Sequence, residues 1–211
     1  MLPATGPAIE AARQAADEGA DPLVVGSPYY FGVEAGTQER HVEAVLGTHH
    51  VLAADTVGRL ARDPRVLGIK DSAGDFEAFQ KLLAIKRERP HFRVLQGHEA
   101  LDAASLLQGG DGMVPGMANL APALFVSLQA AADQGAAAEC ARLQQQITAL
   151  ARISQQGPWL AALKAACAML GLGNGRPASP LAPAAPAARE AIAALLDEAG
   201  LRPTAGAAVS R

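Results

Sequence analysis

Short apolar runs that alternate with longer helical stretches limit this chain to one broad architecture. Residues 23–26 (LVVG), 66–70 (VLGIK), 92–96 (FRVLQ) and 112–115 (GMVP) are brief and largely apolar, the first bounded by Pro22 and by Ser27-Pro28. Runs of this length and setting read as buried strands. Between them lie helical patterns at 7–18, 37–46, 54–62, 76–87 and 101–107. A strand followed each time by a helix implies a parallel sheet with helices packed outside it. From Pro122 the strand signals stop. Helical patterns run through 122–133, 136–155, 158–170 and 187–199, with a proline-rich connector at 177–186. The expected organisation is therefore a β/α region over 1–121, a helical region over 122–203 and a frayed tail at 204–211. The alternation fails once. Helices at 37–46 and 54–62 follow each other with only Gly47-Thr48-His49-His50-Val51-Leu52 between, where a strand is due.

Composition narrows the function. Half of the 211 residues are apolar and 18% are charged, so the chain has the means to bury a core without disulfide or metal staples. A formal net charge of −3 with no basic stripe argues against a nucleic-acid partner. No apolar run approaches the ~18 residues of a membrane span. Met1-Leu2-Pro3-Ala4-Thr5 has neither a basic nor an apolar leader region, which points to a cytoplasmic protein. Cys140 and Cys167 sit in alanine-rich helical patterns and read as small buried hydrophobes. His41, His49 and His50 are too loosely placed for a metal site, and 109–112 (GGDG) lacks the context of a nucleotide loop, so no metal or cofactor is expected.

Lysine is scarce here, at positions 70, 81, 86 and 164 alone, and Lys70 ends an apolar strand. Ligands and chemistry in parallel α/β proteins gather at the carboxyl ends of strands. A lysine pointing into a cavity there loses hydration, which favours the neutral amine, a nucleophile toward carbonyl carbon. The competing reading is a strand-end lysine reaching out to solvent. His98 and Glu99 follow the strand at 92–96 and either face the same cavity or belong to a solvated loop. Asp71, Ser72 and Asp75 are second-sphere acceptors or, more in keeping with their place before a helix, caps.

The surroundings of Lys70 favour chemistry. Residues 68–75 (GIKDSAGD) resemble the Schiff-base segment of the dihydrodipicolinate synthase / N-acetylneuraminate lyase family. Gly19-Ala20-Asp21 with Ser27-Pro28-Tyr29-Tyr30, then 95–99 (LQGHE), 109–122 (GGDGMVPGMANLAP) and 164–172 (KAACAMLGL) resemble further segments of that family, in its order. The resemblance implies a (β/α)8 barrel of the TIM type with a C-terminal helical bundle, usually oligomeric, acting on pyruvate or another 2-oxo acid through a lysine imine. It implies that Lys70 forms the imine, that Tyr30 joins a proton relay in a neighbouring subunit's site, and that Val114 contacts the 2-oxo acid with its backbone; Gly112 beside it is compatible, since glycine lets backbone groups approach a carboxylate closely. Residues 70–72 and 114–116 look more like the sugar-acid aldolases of the family than its synthases.

The family pattern also has strands before the helix near Pro7, and an internal strand ending in a Tyr-Asn-x-Pro motif whose tyrosine is the acid/base. Here Gly47 joins Thr48 directly. The expectation is thus an incomplete barrel with about four of the eight strands. It is either a Schiff-base lyase or aldolase, or a catalytically impaired relative that serves as an oligomer partner.

Overall fold

The computed structural model describes residues 5–20 and 53–201. The expected strand at 23–26, the helix at 37–46, Tyr29, Tyr30, the three histidines between 41 and 50, and the tail at 204–211 lie outside them. The described residues form two compact units. One takes in those up to Ile69 together with Asp75–Val94; the other takes in Lys70–Gly74 and those from Leu95 onward.

The first unit holds helices α1 (Thr5–Asp17), α2 (Ala54–Leu60) and α3 (Phe76–Ile85). It also holds the first residues of strands β1 (Gly68–Asp71) and β2 (Arg93–Gln96), tied by the Arg93 N–H donating to the Leu67 carbonyl at 2.9 Å. Its core is Val57, Ala61, Phe79, Leu82, Phe92 and Val94. The start of α3 is fixed chemically: the Asp75 carboxylate accepts from the Ala78 N–H at 3.1 Å, filling one of the donors that a helix start leaves open.

The second unit receives the carboxyl ends of β1 and β2 and adds β3 (Gly112–Met113). The strand order is β1-β2-β3. β2 and β3 run parallel, with Leu95 opposite Gly112 and Gln96 opposite Met113. The ladder continues past both strand ends: Gly97 N–H donates to Asp71 O at 2.7 Å, and Val114 N–H to Gln96 O at 2.7 Å. Helices α4 (Asp102–Leu107), α5 (Pro122–Asp133), α6 (Ala137–Ala151), α7 (Trp159–Met169) and α8 (Pro186–Glu198) complete the unit. The buried stripe of α6 is Cys140, Leu143, Ile147 and Leu150, the three- and four-residue spacing of one helix face. These residues meet Leu128 of α5 and Ile192 and Leu196 of α8 in one core. The buried positions of α7 are nearly all small: Ala161, Ala162, Leu163, Ala165 and Ala166. Both cysteines are free thiols, Cys140 buried and Cys167 half-buried, and burial raises the pKa of each.

The observed helices fall within the expected segments to a residue or two. The exception shortens for a reason: the segment at 136–155 ends in a tight 3-10 turn, Arg152–Gln155, after α6. Leu128 is fully buried, whereas Val126 on the same helix is 68% exposed. Leu128→Ala is expected to lower the unfolding free energy by about 2–5 kcal/mol. Val126→Ala should change it by less than about 0.5 kcal/mol; urea unfolding followed by circular dichroism measures both.

Candidate active site

Lys70, the third residue of β1, is exposed rather than enclosed. Its stem lies against Gly97, just past the end of β2. A methyl group at Gly97 would overlap Lys70 Cε and Ser72 Oγ and would stand 3.1 Å from the Asp71 carbonyl. The glycine is therefore what lets the lysine stem lie across the end of β2. Asp71 keeps its carboxylate on the local backbone, accepting from the Ala73 N–H at 2.9 Å and turning the chain after the strand. Of the three polar residues flanking the lysine, Asp75 is thus a helix cap and Asp71 a turn former.

The end of β2 is built around the fully buried side chain of Gln96. Its Oε1 accepts from the backbone N–H groups of Gly97 and His98, each at 2.9 Å, and its Nε2 donates to Ser105 Oγ at 2.7 Å. The loop after the strand cannot shift without breaking this set. Glu99 extends the order toward β3: its Oε1 accepts from Gly116 N–H at 2.8 Å and from Met117 N–H at 3.3 Å. Gln144 of α6 clamps the same turn from behind, accepting from Ala103 N–H and donating to the Glu99 carbonyl, both at 2.8 Å. His98 is exposed, and its ring lies against Gly74, where a Cβ would come within 3.0 Å of Cδ2.

Gly112 is buried at the start of β3, where an added Cβ would meet Leu95 Cδ2 at 3.3 Å. Val114 is half-exposed. Its N–H is committed to Gln96, so a backbone contact from Val114 to a ligand must use the carbonyl. Lys70, Gly112 and Val114 thus all stand at or beside the carboxyl ends of adjacent parallel strands, within the second unit. Tyr30 lies outside the described residues. Among the described residues no group of three metal-ligating side chains occurs. None of their helices is long and apolar enough to cross a membrane.

The sequence alone gave no role to Gln96 or Asp102. Gln96 is a polar residue at the end of an apolar strand, which is the one hint available. Asp102 opens α4, fully buried, and neither carboxylate oxygen has a hydrogen-bond partner among the described residues. Burial, with the nearby charge of Glu99 adding to it, raises its pKa to about 8.

The model of the dihydrodipicolinate synthetase family matches residues 3–199. The chain belongs to that family. An uncharacterized DapA-like lyase from Halobacterium salinarum is 29% identical, covering 94% of this chain and 69% of the relative. A probable 2-dehydro-3-deoxy-D-pentonate aldolase from Escherichia coli K12 is 28% identical, over 81% of this chain and 62% of the relative. Among solved structures, the family member YagE from E. coli K12, in complex with pyruvate, superposes with a TM-score of 0.84 at 27% identity, covering 92% of this chain and 71% of that one. The barrel class and the Schiff-base lyase and aldolase family expected from the sequence are those of these relatives.

Asp102 makes stability pH-dependent. The unfolded chain loses this proton near pH 4, the folded chain only near 8. The folded state therefore binds the extra proton between those values, and its stability falls as pH rises through the interval. Asp102→Asn should remove this slope. Relative to wild type it should gain on the order of a few kcal/mol between pH 5 and pH 8, read from urea unfolding at the two values.

Proposed function

We propose that this chain is a Schiff-base-forming lyase or aldolase that acts on pyruvate or another 2-oxo acid through Lys70, in the manner of the family's sugar-acid aldolases. The observation that carries the reading is the lysine laid across Gly97 at the joined ends of β1 and β2, open to solvent where a substrate arrives. The neutral Nζ attacks the C2 carbonyl. A carbinolamine forms and loses water, leaving an iminium; a C3 proton passes to the proton relay, and the C3–H electron pair moves toward the positive nitrogen to give the enamine. In the synthetic direction the resulting enamine attacks an aldehyde carbon, the aldehyde oxygen takes a proton, and water hydrolyses the imine to free the lysine. In the cleavage direction the same steps run in reverse. Gly112 and the Val114 carbonyl border the 2-oxo acid, and Tyr30 of a neighbouring copy supplies a proton relay in a homo-oligomer. No metal or cofactor is invoked, because the iminium itself is the electron sink.

A second reading has its own support in the direct junction of Gly47 and Thr48, where the family carries its acid/base tyrosine. Loss of such a group costs proton transfer about 10²–10⁴-fold. On that reading the chain is a catalytically impaired member that still forms the imine or only assembles with other copies.

Borohydride added with pyruvate should leave a stable adduct on Lys70, located by peptide mass spectrometry. Folded wild-type protein without an adduct would overturn the first reading. Lys70→Arg should give none, since guanidinium stays protonated. Adduct formation without turnover would identify the impaired member. Gly97→Ala separately tests the geometry. The added methyl pushes the lysine stem aside, so trapping should slow about tenfold or more, while the melting temperature falls only modestly, since the Asp71 carbonyl has to give by only a few tenths of an ångström and the other displaced atoms belong to side chains.

A further inference from the structure

Helix α7 has two faces of different character. Ala161, Ala162, Ala165 and Ala166 are fully buried. Leu160, Leu163, Lys164 and Cys167 share the opposite face, by their three-, four- and seven-residue spacing. That face borders a cavity of about 640 Å³, within the usual range for a small-molecule site. Two turns from separate parts of the second unit supply its other walls. The chain leaves α7 through a Schellman end: Gly171 N–H donates to the Ala168 carbonyl at 3.0 Å, and Leu172 N–H to the Cys167 carbonyl at 2.8 Å. It then doubles back. Gly175, buried and at φ 73°, seats on the helix, where a Cβ would come within 3.1 Å of Ala168 Cβ and 3.6 Å of the Lys164 carbonyl. This return makes Leu172 and Asn174 one wall of the cavity. Asn119, from the turn after β3, is another. The Trp159 ring edge rests on that same turn, since a Cβ at Gly116 would come within 2.7 Å of Cζ2, and this holds the start of α7 beside Asn119.

The walls are mostly apolar, and their polar groups have a definite sense. Lys164 is half-buried, with no hydrogen-bond or ion-pair partner among the described residues. A cation partly withdrawn from water is costly unless an anion answers it. Its charge reaches the cavity wall: burial raises the pKa of the Cys167 thiol, and Lys164 pulls it back down. Asn174 uses its Oδ1 to accept from Arg176 N–H at 3.0 Å, which leaves its amide N–H groups as donors. Asn119 donates to the Gly116 carbonyl at 2.8 Å and so fixes its own turn. An ammonium and an amide N–H together suit a carboxylate, and Leu160, Leu163 and Leu172 suit a hydrocarbon body. We propose that this cavity binds an amphiphilic monocarboxylate, with its carboxylate on Lys164 and Asn174 and its hydrocarbon part against the leucines. The walls do not include Lys70 or the residues around it, so occupancy does not depend on imine chemistry.

Cys167 is a built-in reporter. Cys140 is fully buried, so N-ethylmaleimide should label the native full chain once, at Cys167, as read by mass spectrometry. Octanoate should slow this labelling saturably. Octanamide, which keeps the chain and lacks the charge, and acetate, which keeps the charge and lacks the chain, should each need at least about tenfold more for half-protection. Saturating pyruvate should leave the octanoate effect unchanged. Lys164→Met should weaken octanoate about tenfold or more, with labelling compared with and without octanoate in the same protein because the lost charge itself alters the thiol. Lys164→Arg should retain protection. No saturable protection of the wild-type chain by octanoate overturns the proposal. Equal protection by octanamide overturns it, since the cavity then takes apolar bulk alone, and equal protection by acetate overturns it as a site for any small anion. Displacement by pyruvate would place octanoate at Lys70 and overturns it too. So does unaltered protection in Lys164→Met. The wild-type comparisons decide the matter even if that variant fails to fold.

Discussion

The buried amide of Gln96 is the interaction on which the candidate site depends. One side chain satisfies two backbone donors of the loop after β2 and reaches Ser105 at the base of α4. Its own carbonyl meanwhile receives the Val114 N–H. A strand end in the interior otherwise leaves donors without water and without partners, at roughly 1–3 kcal/mol each. By answering them from within, Gln96 permits the loop to turn sharply outward. Gly97, His98 and Glu99 are then presented in a fixed order, and Glu99 passes that order on to the turn at Gly116.

Much of this was legible from the residues. The period of the apolar positions marked β1, β2 and β3 and every described helix, because a buried strand and an amphipathic helix each impose a spacing that composition cannot disguise. Lys70 stood out because a lysine is costly at the end of an apolar run unless it has a task. Pairings between distant residues were not legible. Nothing local in the sequence says that Glu99 reaches Gly116, that Gln144 clamps the turn before α4, or that Trp159 rests on a glycine forty-three positions earlier. Such contacts depend on how helices dock, and docking is decided by the summed shape of many side chains. Whether Lys70 is enclosed or reaches solvent was left open by the residues for a similar reason: a strand position tells where a side chain starts, not what surrounds its far end.

The same segment carries the unit's least comfortable group. Asp102 sits three residues beyond Glu99, buried and without a hydrogen-bond partner among the described residues, and the nearby carboxylate adds to the cost of ionising it. Glu99, by contrast, has one side-chain oxygen engaged by the backbone N–H groups of Gly116 and Met117. Two acids three positions apart thus differ in environment, one hydrogen-bonded to backbone donors and the other kept protonated by burial.

The alanine-lined face of α7 has a consequence of another kind. Alanine has no side-chain rotamers to freeze, so burying Ala161, Ala162, Ala165 and Ala166 incurs almost no entropic cost beyond that of the backbone. Each also contributes little apolar area, and the neighbouring helices must come close to touch it. Such a seam is tolerant of heat-driven side-chain disorder but has no slack for growth. Replacement by any larger residue forces whole helices apart, so in this part of the molecule sequence drift is confined by volume and hardly at all by chemistry.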